Sequence, residues 1–93
     1  MEPQDKKPDQ GPPEIFFSTF LYSLGSAALI ALGVAPNPVT GKIEKNLDLA
    51  RQNIDLLALI KEKTKGNLTP EEQSLLDNLL YDLRMRYVEE VSP

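Results

Sequence analysis

Ser18, Ser23 and Ser26 are hydroxyls that could serve as nucleophiles, and nothing in the chain is placed to activate them. A serine nucleophile needs an adjacent base, and that base needs a group to orient it. The sequence has no histidine and no cysteine, and no lysine falls within the run from Ile15 to Gly41 that holds these serines. They read as helix-packing residues that bond back to their own backbone. Paired carboxylates can divide acid and base roles when burial splits their pKa values. Glu71-Glu72 and Glu89-Glu90 are adjacent in sequence, and adjacent residues of a helix do not face each other. Glu71 and Glu72 are better explained by a helix start. No catalytic residue is assigned, and the expectation is a protein that is not an enzyme.

Gly41-Lys42 has the look of a phosphate loop, but the preceding glycine is Gly33, Ile43 stands where a hydroxyl is needed, and Pro36 and Pro38 lack N–H groups. Asn67-Leu68-Thr69 fits the glycosylation sequon, yet Thr69 precedes Pro70 at a helix start. Without histidine or cysteine the soft-metal ligands are missing, so neither a metal nor a cofactor is expected. The net charge of −4 gives no general attraction to nucleic acid. Lys61, Lys63 and Lys65 point in different directions around a helix and suit its C-terminal end. Tyr81, Arg84 and Tyr87 form a candidate contact patch, because tyrosine and arginine are enriched among interface residues that dominate binding. The plainer reading puts Tyr87 in the core and Arg84 in solvent.

The elements that must position these residues are helical. Residues 1–13 hold four prolines and five charges, too polar to offset their ordering entropy, and read as a disordered tail. Residues 14–93 form one small all-α domain with three helices at about 14–33, 46–65 and 69–91. Gly33 and Pro36 stop the first. Asn46 caps the second, Leu47, Ala50, Ile54 and Leu57 form its buried stripe, and Leu49, Leu56 and Ile60 widen it. Gly66 supplies its left-handed stop. Thr69, Pro70 and Glu72 spell a capping box at the start of the third, whose core stripe is Leu76, Leu80, Leu83 and Tyr87. The short link predicts an antiparallel hairpin of helices two and three.

The first helix is the unusual one. It carries no charge and is apolar on nearly every side, and a helix of that kind must be surrounded. A two-helix hairpin has one groove to offer. Small domains that lack disulfides and metals commonly gain stability by oligomerising. The expected assembly face is Phe16, Phe17, Phe20, Ser23, Leu24, Ala27 and Ala31, in which Ser23, Ala27 and Ala31 would let another backbone approach closely. The partner is a second copy or an unknown protein, and the compartment a cytoplasm. The alternative is an inner-membrane protein anchored by residues 15–32, which reach the minimum length of a span but are weakened by Ser18, Thr19, Ser23, Gly25 and Ser26. A signal peptide fits less well, because acids and prolines crowd the preceding tail.

The chain resembles a bacterial family of short helical proteins defined as a domain of unknown function. The stretches FFSTFLYSLGSAALIALG (16–33), PNPVTGK (36–42) and NLDLARQNIDLLALIKEKTKGNLTPEEQSLLDNLLYDLRMRYVE (46–89) carry the resemblance. It implies no catalytic residue. It does imply that residues 16–33 belong to the domain and are not a removable leader.

Overall fold

The computed structural model describes residues 16–92, which contain three helices and no strand. The expected tail, with Glu14 and Ile15, lies outside the described residues.

Helix α1, Phe17–Leu32, has no side-chain cap at its start: Phe16 is the extended N-cap residue, and its carbonyl accepts from the Phe20 N–H at 3.2 Å. The end is set by Gly33 at φ 83°, a conformation that costs a side chain dearly. The Gly33 N–H donates to the Ile30 carbonyl and the Val34 N–H to the Leu29 carbonyl, the paired bonds of a Schellman motif.

The connector from 33 to 46 is folded on itself. Asn37 accepts from the Val39 N–H through its side chain and from the Gly41 N–H through its carbonyl. The Glu44 carboxylate receives the Asn37 amide on one oxygen and the Thr40 hydroxyl on the other, both at 2.9 Å. The Lys42 N–H donates to the Thr40 hydroxyl oxygen. The N–H groups that a phosphate would need are thus already engaged. The Asn46 N–H returns to the Ala31 carbonyl at 2.7 Å and ties the connector to α1.

Helix α2, Leu47–Lys63, starts as the sequence indicates, with the Asn46 side chain accepting from the Leu49 N–H. It stops sooner than expected. Thr64, at φ −101° and ψ 6°, is the C-cap: its N–H and hydroxyl still reach the Ile60 carbonyl, at 2.9 and 2.6 Å, but the Lys65 N–H turns to the Glu62 carbonyl, and the helix ends at Lys63. Gly66 is left-handed, at φ 84°, but lies in the turn beyond.

Helix α3, Pro70–Val91, opens on the full capping box: the Thr69 hydroxyl accepts from the Glu72 N–H at 3.1 Å, and the Glu72 carboxylate accepts from the Thr69 N–H at 2.9 Å.

The core is built almost wholly from leucine and alanine. Leu21, Ala28, Ala31 and Leu32 from α1 meet Ala50, Ile54 and Leu57 from α2 and Leu76, Leu80 and Leu83 from α3. Gly25 marks the close approach of α1 to α3, where an added methyl would come within 3.3 Å of the Leu79 side chain. Two ion pairs bind the later elements. Late in α2, Lys61 meets Asp77 at 2.8 Å, early in α3; Lys45, just before α2, meets Glu90 near the end of α3. That inverse order is the one an antiparallel pair of helices would give.

Candidate interaction face

Several expectations change once the helices have neighbours. Leu49 and Leu56 do not widen the buried stripe of α2; they are 45% and 41% exposed, and only Ile60 of that group packs against the core. The reason is geometric. At 3.6 residues per turn the apolar arc of α2 spans more of its circumference than two neighbouring helices can cover.

Which side each helix turns to which neighbour follows from the contacts. On α1, Gly25 faces Leu79, and Phe16 at the N-cap, Phe17, Ser18 and Tyr22 border a cleft with Glu71, Glu72 and Leu75. That side therefore looks toward α3. On α2, Lys61 and Ala58 border the cleft shared with Gln73, Leu80 and Arg84. The α1–α2 seam is marked by the bond from the Asn46 N–H to the Ala31 carbonyl, with Ala31, Leu32 and Ala50 in the shared core.

The residues expected to form an assembly face divide by burial. Phe16, Phe20 and Ser23 are exposed; Phe17, Leu24 and Ala27 are half-buried; Ala31 is enclosed by its own chain at 2%. Phe17 and Phe20 also lie side by side, with ring centroids 6.4 Å apart and tilted. The Ser23 hydroxyl donates to the Thr19 carbonyl, as a serine without a catalytic partner does. The chain hides more of α1 than sequence alone suggested, since Leu21, Leu24, Leu29 and Leu32 are all drawn toward the core. What stays in solvent is Phe16 and Phe20 together with Thr19, Tyr22, Ser23 and Ser26.

The candidate patch on α3 separates. Tyr81 is 70% exposed and Arg84 is exposed, whereas Tyr87 packs against the core. Tyr81 instead shares a face with Met85 and Val88, four and seven positions on, both exposed.

Charge along α3 is tied up locally and across the helix pair. Arg86 bonds Asp82 at 3.0 Å. The Lys61 ammonium, hydrogen-bonded to Asp77, holds that carboxyl below its ordinary value; Gln73 donates to the same oxygen, and partial desolvation pulls the other way. Glu72 is spent on the cap and Glu90 on Lys45. Among the described residues no cluster of acidic, histidine or cysteine side chains could hold a metal. Nor is any helix among them long and apolar enough to cross a membrane; α1 has sixteen residues, so the anchoring alternative loses its span.

No curated protein and no solved structure matches the chain. A family model does match, over residues 14–89, and those residues include all three helices but for the last two residues of α3. The chain therefore belongs to the family described as Domain of unknown function (DUF1844).

Proposed function

We propose that this chain is a non-enzymatic module that works by association, with the α1 edge led by Phe16 and Phe20 as its contact surface and a second copy as its first partner. The observation that carries this reading is that an uncharged helix, the most apolar of the three described, keeps Phe20, and Phe16 at its N-cap, about half exposed. Burying each such side chain is worth about 2 kcal/mol, so leaving a group of them wet is a large loss for a domain of this size. Large contiguous apolar patches on a monomer commonly mark an interaction site. On this reading the chain acts through surface rather than through a reaction, which is supported by Ser23 bonding back to its own helix, Glu72 serving the cap and Glu90 pairing with Lys45. We place it in a cytoplasm, where a chain free of cysteine gives up no stabilising disulfide.

Light scattering on the full chain after size exclusion tests the reading. A dimer or larger mass at micromolar concentration is expected. Phe20→Glu should shift that mass to monomer while the helical circular dichroism stays. A monomeric mass for the unmodified chain, without detergent or partner, would overturn it. Ala27→Trp, at a half-buried position of α1, should also weaken assembly more than Ser18→Ala.

A further inference from the structure

The cleft between α2 and α3 gathers positive charge on a chain whose net charge is −4. It holds about 390 Å³, within the range of small-ligand sites. Lys61, Glu62 and Ala58 of α2 line it with Lys65 from the turn beyond, and α3 adds Gln73, Leu80 and Arg84. These charges differ in what already holds them. Lys61 is engaged by Asp77 at 2.8 Å, and Gln73 donates to the same carboxylate oxygen. Lys65 and Arg84 pair with no carboxylate among the described residues. Three cations therefore stand against Glu62 on the lining and Asp77 beside it, and the two unpaired ones come from opposite walls.

We propose that this cleft binds a phosphoryl dianion, held between Lys65 on one wall and Arg84 on the other. A dianion answers two unpaired cations, whereas a carboxylate answers one. The Arg84 guanidinium can grip two phosphoryl oxygens with its planar fork, and the Lys65 ammonium meets the charge as a mobile point. Half-buried Ala58 lines the same cleft and offers an apolar contact to the carbon body of a phosphate monoester. Lys63 does not line it, so of the three lysines near the end of α2 only Lys61 and Lys65 serve this surface. No residue of the site belongs to α1, and the inference stands apart from the self-association proposed above.

The test is an NMR titration of the full, nitrogen-15-labelled chain with phenyl phosphate, inorganic phosphate and benzoate at about pH 7.5, where a phosphate monoester is a dianion. Saturable amide shifts are expected at Lys65, Gln73 and Arg84, with a Kd for phenyl phosphate at or below about 1 mM. Benzoate, a single charge on the same ring, should bind roughly tenfold more weakly. Arg84→Gln and Lys65→Gln should each weaken phenyl phosphate by roughly tenfold, because each removes a charge-assisted bond. Lys63→Gln, an exposed change outside the cleft, should leave it unaltered. Tighter binding of phenyl phosphate than of inorganic phosphate would identify a monoester as the ligand, and equal binding the free ion. No saturable shift up to about 10 mM of either phosphate would overturn the site. So would shifts spread equally over Lys42 and Lys63, an equal loss on Lys63→Gln, or benzoate binding as tightly as phenyl phosphate. The mass read by light scattering bears on none of these outcomes.

Discussion

Helices α1 and α3 are held in place by opposite means. α3 announces itself locally: Thr69 and Glu72 satisfy each other's backbone, Pro70 sits in the first turn, and Arg86 pairs with Asp82 one turn back. α1 has none of this. No side chain caps its start, it carries no acid in its first turn and no base in its last, and its end is closed by backbone bonds at Gly33. Isolated helices of this length are marginal in water, so α1 owes its existence to the surfaces it packs on. The contrast explains where surface is left over. α3 affords a polar exterior because its helicity does not depend on burying every side. α1 must be apolar where it is held, and the arc facing neither neighbour stays free of charge, with Thr19, Tyr22, Ser23 and Ser26 around Phe20.

The largest effect should come from cutting an anchor of α1. Leu21 is fully buried, and Leu21→Ala should destabilise the chain by about 3 kcal/mol through lost burial and a residual cavity. Urea unfolding followed by circular dichroism reads this as a fall in midpoint. A loss below about 1 kcal/mol would mean that α1 stands without its packing, and the comparison would break. The local device of α3 should matter less. Thr69→Ala removes the acceptor for the Glu72 N–H and should cost about 1 kcal/mol, read in the same way. Equal losses for the two substitutions would show that the capping box holds more of the fold than the core contact does.

The same contrast governs what could be read from the sequence. The capping box at Thr69, the Asn46 cap and the Gly33 stop are written in neighbouring residues, and the structure has all three. Thr64 was illegible as a C-cap, because the backbone leaves the helix there, with the Lys65 N–H turning to the Glu62 carbonyl, before Gly66 is reached. The Asn37–Glu44 bond folds the connector across seven positions and has no periodic signature. Lys61 and Asp77 are sixteen positions apart and meet only because α2 and α3 do. For the proposed interaction face, the lack of charge in residues 16–33 pointed to α1, where Phe20 and the N-cap Phe16 are exposed while Ala31 of the expected face is buried. Periodicity could not divide the rest. It locates the centre of an apolar stripe, whereas Leu49, Leu56 and Ala31 lie near its edges, where the placement of a neighbouring helix decides between core and solvent.

The smallest expected effect concerns an ion pair that lowers a carboxyl's pKa. In the folded chain Asp77 is held below its ordinary pKa, first by the hydrogen bond from Lys61 and then by the one from Gln73. The folded state therefore takes up this proton less readily than the unfolded chain. The stabilisation is complete above the unfolded value and is lost as pH falls through the folded one, which places the window below about pH 4. Both side chains are about half exposed, so water and salt weaken the pair and the effect on melting is small at neutral pH. Lys61→Met removes the main cause. Melting temperatures taken from pH 7 to pH 2 should show the parent chain declining more steeply at the acid end, with the two curves converging there. Curves that stay parallel would mean that Asp77 titrates alike in both chains and that α3 is joined to α2 by apolar packing alone, a dependence on tertiary burial like that of α1.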